Sequence, residues 1–226
     1  MGFFKKLKVF WKCRKEIILS LKIKVDFIAF QKNWREKNCH NGTTAANKFD
    51  SSKVIVGDST YGRLRVLCWD NPKERLVIGN YCSIAEDVSF LLGGVHPLDR
   101  ITTFPYISHV LGETVKEPTG SKGPIIVEDD VWICQGVTIL SGVTIGKGSV
   151  IGAGSVVSKD IPKYSIVING KVIKRRLPNE VIEKIENFDL HNIKQLTKEN
   201  RNLLLTTELT VELFDRIINQ QIFEDI

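Results

Sequence analysis

Residues 127–162 read VEDDVW, ICQGVT, ILSGVT, IGKGSV, IGAGSV and VSKDIP when written in sixes. The first position of every hexad is aliphatic: Val127, Ile133, Ile139, Ile145, Ile151 and Val157. The fifth position, Val131, Val137, Val143, Ser149, Ser155 and Ile161, is small or β-branched, and glycine recurs at the second and fourth. Six residues turn an α-helix through about 600°, so a helix would put successive first positions on different faces. A flat sheet of period-two strands does not call for a six-residue recurrence either. The pattern fits a short strand, a tight turn with glycine at positive φ, and the next strand. Three hexads then close one coil of a triangular prism, and coils stack at about 4.8 Å.

The repeat also appears upstream, at 78–83 (IGNYCS), 84–89 (IAEDVS) and 56–61 (VGDSTY). Ile78 and Val127 are 49 residues apart, one out of phase with six, so a segment between them must leave the prism. That loop spans about 93–123 and carries His96, Phe104, Pro105, Tyr106, His109 and Pro118. A long excursion from a compact repeat is usually functional. After Pro162 the repeat stops. Asn179 is a candidate helix cap before Val181, Ile182, Ile185 and Phe188, and a second amphipathic stretch holds Leu209, Leu213, Phe214 and Ile217. The expected architecture is mainly β, a left-handed parallel β-helix with an extruded loop and flanking N- and C-terminal α-helices. Its expected divisions are 1–49, a basic amphipathic segment, 50–176, the β-helix, and 177–226, a helical segment.

The net charge of +6 is local. Eight of the first 30 residues are Lys or Arg, against Glu16 and Asp26, so residues 31–226 are balanced. A nucleic-acid-binding face is therefore not expected, because such proteins spread basic charge over the surface that meets the phosphates. Phe3, Phe4, Leu7, Phe10, Trp11, Ile17, Ile18 and Leu21 interleave with those lysines. Two readings stand for residues 1–30: a helix lying on an anionic membrane surface, or a packing helix with a solvated lysine face. No apolar run approaches the ~20 residues of a spanning helix. The five cysteines, Cys13, Cys39, Cys68, Cys82 and Cys134, show no metal or redox spacing. They read as reduced thiols of a cytoplasmic protein, which under the first of those readings is peripheral at the inner membrane face.

Several strings resemble the hexapeptide-repeat acyltransferases. They are Val131-Trp132-Ile133, Gly142–Gly148 and Ile151–Pro162 in the repeat, with Thr60-Tyr61-Gly62, Ile78–Ala85, Gly93–His96 and Thr102–Tyr106 upstream. The branch they are similar to holds the xenobiotic acetyltransferases of streptogramin and chloramphenicol type and the sugar and polysaccharide O-acetyltransferases. The resemblance covers about residues 50–176. It implies a homotrimer with active sites between subunits and acetyl-CoA as co-substrate, without a metal. It also implies a histidine on the loop, His96 here, as general base toward an acceptor hydroxyl; imidazole titrates near neutral pH and suits that role. His109 is the competitor in the same loop.

By position, the resemblance further implies that Gln135, Ala153, Ser158, Lys159, Lys171 and Lys174 contact the coenzyme. Lys159 suits the coenzyme's phosphates as a point cation. The end of the domain, Asn169–Lys174, departs from the family pattern by lacking a proline and about two residues. Phe104, Tyr106 and Trp132 are candidates for the acceptor site, with packing as the competing role. The expected function is transfer of an acetyl group to a sugar hydroxyl of a surface polysaccharide or its precursor. The alternatives are an antibiotic hydroxyl as acceptor and a non-catalytic scaffold. A zinc hydratase on the same prism would need three histidines, and the repeat region holds His96 and His109.

Overall fold

The computed structural model describes residues 3–113 and 120–224, so Pro118 lies outside the described residues. The six-residue period becomes a parallel β-helix with three faces, and the ladder shows the three-hexad coil directly. Ile133 pairs with Ile151, Thr138 with Val156 and Ile126 with Thr144, each eighteen residues on. The first face stacks strands Gly42–Ala45, Tyr61–Leu67, Ser83–Ile84, Trp132–Ile133, Val150–Ile151 and Ser165–Ile168. The second stacks the end of Tyr61–Leu67 on Ser89–Leu91, Thr138–Leu140 and Val156–Val157. The third stacks Val54–Val56, Leu76–Ile78, Ile125–Val127 and Thr144–Ile145. Coil stacking thus begins at Gly42, ahead of residue 50.

Both aliphatic positions of the hexad point inward. The six first-position residues are at most 1% exposed, and the fifth-position set is at most 5% exposed. At about 1.5–3 kcal/mol for each fully buried aliphatic side chain, these ladders are the main cohesive term. The fourth position makes the turn: Asp130, Gly136, Gly142, Gly148 and Gly154 all have φ between 57° and 79°. Glycine is not obligatory there, since Ser59, Tyr81, Asp87 and Tyr164 hold the same conformation at other coils. At the second position Gly146 and Gly152 serve closeness instead, while other coils carry side chains there. A Cβ on Gly152 would lie 2.8 Å from the Val167 carbonyl oxygen of the next coil.

The corner between the third and first faces carries Asp58, Tyr81, Asp130, Lys147 and Tyr164. The corner between the first and second faces carries Glu86, Gln135 and Ala153; the corner between the second and third carries the loop. Both ends of the prism are closed. Helix α1 (Phe3–Lys37) packs Phe27, Phe30 and Trp34 on the first coil, where Trp34 and Phe30 meet the Phe49 ring edge-on at 5.2 and 5.1 Å. Gln31 donates to Ala45 O, and Arg35 donates to Thr43 O and Asn41 O, which blunts the free edge of strand Gly42–Ala45.

At the other end Ile151 pairs with Val167 after sixteen residues rather than eighteen, and strand Lys171–Arg175 turns back antiparallel to close the ladder. Asn169 and Gly170, at φ 52° and 71°, make the hairpin turn.

The loop contains the short helix α2 (Tyr106–His109). The C-terminal segment forms α3 (Asn179–Ile185), a 3-10 turn at Leu190–Gln195, α4 (Lys198–Thr206) and α5 (Val211–Glu224). Pro178, not Asn179, occupies the cap position of α3, and Asn179 is its first helical residue. A proline there costs nothing because the first turn has no intrahelical acceptor for its amides. Phe188 and Phe214 meet edge-on at 5.3 Å around buried Val181, Leu196 and Ile217. This cap sits on the corner between the third and first faces. Lys147 Nζ donates to Glu186 O and Phe188 O, and His191 packs on the Tyr81 ring. Among the described residues no helix is long and apolar enough to cross a membrane.

Candidate active site

The loop leaves the prism at Leu92 and returns at Lys122–Gly123. Its neck is a two-way backbone bond between Val95 and Gly120, at 3.1 and 2.7 Å. Under the neck lies a buried ion pair. Glu74 is fully buried; its Oε2 accepts from Lys53 Nζ at 2.6 Å, and its Oε1 accepts the Trp69 amide at 2.7 Å. Gly93 crosses this carboxylate so closely that a Cβ there would lie 2.5 Å from Oε1. Gly94, at φ 84°, passes over the Trp69 ring.

His96 follows the neck residue Val95 and is exposed. Its Nδ1 is 2.7 Å from Thr103 O. A carbonyl oxygen only accepts, so Nδ1 carries the hydrogen, and in the neutral ring Nε2 holds the lone pair. Thr103 also lines a cavity of about 530 Å³ with Pro97, Arg100, Ile101, Phe104 and Tyr106. Phe104 and Tyr106 are half exposed there, and His96 is not among the residues that line this cavity. Trp132, 53% exposed, stands on the first face between Ser83 and Val150, apart from that cavity. His109 donates to or accepts from Ser108 Oγ at 3.0 Å and meets Phe104 edge-on at 5.8 Å.

The expected coenzyme residues are all exposed; five lie at two corners, and Lys174 lies on the first face in the column of Trp132 and Val150. Gln135 and Ala153 are consecutive on the corner between the first and second faces, with the Gly154 amide donating to Gln135 O at 2.9 Å. Lys171 follows the hairpin turn on that side, paired with Ile168, and Lys174 pairs with Ile166. Ser158 and Lys159 belong to the loop's corner. There the Gly142 amide donates to Gly123 O, the Lys122 amide donates to Ser141 Oγ, and Asp160 Oδ1 accepts the Thr144 amide one coil further on.

Sequence reading missed Thr103, which acts through its backbone and leaves no side-chain signature. It also missed Lys53–Glu74, whose partners lie 21 residues apart in stretches that read as turns, and Arg100, which lines the loop cavity. Among the described residues no group of three or more His, Cys, Asp or Glu is placed to hold a metal ion.

A three-faced prism of stacked hexads, interrupted once by a loop that presents an oriented imidazole, is the layout of a hexapeptide-repeat transferase. Residues 124–159 match the family described as "Bacterial transferase hexapeptide (six repeats)". A probable macrolide acetyltransferase of Lysinibacillus sphaericus is 42% identical over 117 residues, which span 49% of this chain and 65% of that protein, just under two thirds of its length. A chloramphenicol acetyltransferase of Agrobacterium fabrum is 30% identical over 161 residues, spanning 62% of this chain and 76% of that protein. Among solved structures, a maltose O-acetyltransferase from Clostridium difficile 630 is 31% identical over 60% of this chain and 66% of its own, with a TM-score of 0.45. The chain belongs to the hexapeptide-repeat acyltransferase family.

Proposed function

We propose that this protein is an acetyl-CoA-dependent O-acetyltransferase in which His96 is the general base. The observation that carries the reading is the Nδ1 bond to Thr103 O, which leaves Nε2 as the proton acceptor of an exposed imidazole. Nε2 takes the proton of the acceptor hydroxyl as its oxygen attacks the thioester carbonyl. The tetrahedral adduct collapses with cleavage of the C–S bond, and the imidazolium returns the proton to the departing thiolate. The thioester is already activated, so no covalent enzyme intermediate is needed.

Gln135, Ala153, Lys171 and Lys174 on one side, and Ser158 and Lys159 on the loop's corner, form one coenzyme groove when two prisms stand side by side. The corner between the third and first faces is covered by the protein's own C-terminal helices, which leaves these two corners for neighbours. The assembly this supports is a homotrimer in the cytoplasm, using the same two surfaces in every subunit. The acceptor is a sugar hydroxyl of a surface polysaccharide or its precursor, resting on Phe104 and Tyr106. A second reading, an antibiotic hydroxyl, is favoured by the names of the two curated relatives.

The test is thiol release from acetyl-CoA by the full chain across glycans, nucleotide sugars, macrolides and chloramphenicol. His96→Ala is expected to lower kcat by about 10²–10⁴, and His109→Ala to leave it within a few-fold. Full activity of His96→Ala would overturn the mechanism. Turnover confined to a macrolide or chloramphenicol would replace the sugar by the antibiotic acceptor.

A further inference from the structure

The cavity of the extruded loop is almost uncharged. Of the described residues that line it, four are apolar, three carry hydroxyls, and Arg100 alone has a formal charge. Arg100 is exposed, and it has no hydrogen-bond or ion-pair partner among the described residues. Asp99, its neighbour in sequence, neither lines the cavity nor pairs with it. Arg176 is the contrast. It also lines a cavity, under the C-terminal helices, but there Asp130 at 3.0 Å neutralises its guanidinium. In the free protein water solvates Arg100. A ligand that fills about 530 Å³ of mostly apolar space displaces that water, and a desolvated charge without a counter-charge is strongly unfavourable. A neutral ligand leaves the guanidinium unmatched, a cationic one adds repulsion, and an anionic one supplies the missing partner. Discrimination then comes from rejection as much as from attraction.

We propose that Arg100 makes the loop cavity selective for acceptors that bear an anionic group, a carboxylate or a phosphate on the sugar, held there while a hydroxyl of the same molecule reaches His96. The proposal rests on the O-acetyltransferase reading and narrows its acceptor to an acidic sugar. Carboxylate and phosphate are the groups that a guanidinium grips with two parallel hydrogen bonds. Thr103 ties the cavity to the chemistry. It lines the cavity, and its carbonyl oxygen accepts from His96 Nδ1 at 2.7 Å, so the cavity and the oriented imidazole share one residue. Phe104 and Tyr106, half exposed in the same cavity, offer ring faces to the C–H side of a sugar, so charge and shape are read by different residues. An acceptor with an ammonium group is disfavoured by the same arginine.

The experiment titrates the full chain with matched sugars by NMR, without acetyl-CoA: a methyl hexoside, the corresponding methyl hexuronide, and the hexoside 6-phosphate. Wild type is expected to bind at least one anionic sugar about tenfold or more tightly than the neutral one, with the ratio falling as salt rises. The uronide and phosphate arms tell which anion is read. Arg100→Gln is expected to bring the ratio close to one, and Arg100→Lys to keep part of it, since the charge remains and the planar fork is lost. Both variants change an exposed side chain, and their unfolding temperatures report that the prism is intact. Equal binding of neutral and anionic sugars by wild type would overturn the proposal. So would a preference that survives Arg100→Gln, or undetectable binding of both anionic sugars. Acetyl transfer is measured separately. A preference that Arg100→Gln removes, in a protein that transfers no acetyl group, supports charge selection by the cavity and overturns the catalytic reading alone.

Discussion

Glu74 and Ser155 mark opposite ways of placing a polar group in this interior. The Glu74 carboxylate is fully buried, and both its oxygens are used, by Lys53 Nζ and the Trp69 amide. Removing one partner strands the other charge, so Glu74→Ala should cost about 3–5 kcal/mol in urea or thermal unfolding. Ser155 Oγ is buried and makes no hydrogen bond at a position held by valine in Val131, Val137 and Val143. Ser155→Ala removes that unmet hydroxyl at little change in volume and should raise stability by up to about 1 kcal/mol; a loss measured in the same assay would show that the hydroxyl has a partner. Ser149, one hexad earlier, is the control. Its Oγ donates to Pro162 O and accepts the Ser165 amide, so Ser149→Ala should destabilise.

At the level of elements, the loop and α1 divide what the sequence made legible from what it hid. The hexads were legible because one period fixes strand, turn and burial together, and the phase slip located the loop. The loop's anchoring was not. Gly93 reads as a turn residue, yet the position is set by a carboxylate from nineteen residues upstream. On the proposed mechanism Gly93→Ala should therefore lower kcat/KM by about tenfold or more through displacement of His96, and it should lower the melting temperature too, because the new Cβ crowds the buried Glu74 carboxylate. Equal activity would detach the neck from catalysis. In α1 the lysines advertised a surface helix but concealed its docking, because Trp34, Gln31 and Arg35 bind a strand that carries no hexad signature.

Over the whole molecule, the C-terminal cap is tied to the prism by a histidine between two carboxylates. His191 Nδ1 lies 2.8 Å from Asp189 and Nε2 lies 3.4 Å from Asp58, across 133 residues of sequence. The hydrogen bond to Asp189, then that to Asp58, raise the His191 pKa above its ordinary value, while desolvation opposes them. A raised histidine stabilises fully below its unfolded pKa of about 6.5 and loses that contribution as pH climbs through the folded value. At the acid end the tie is limited by protonation of Asp189, whose pKa its bonds to His191 lower. The melting-temperature gap between wild type and His191→Gln should thus be wider near about pH 6 than near about pH 9; a gap independent of pH would sink the assignment. The pinched neck of the loop has a consequence of its own. Because one backbone pairing between Val95 and Gly120 closes the excursion, the coils below register only the join and not the length of chain beyond it. The loop is in effect a cassette. A different insert grafted above the same neck, with His96 and the Thr103 carbonyl that orients it retained, would present another surface beside an unaltered prism.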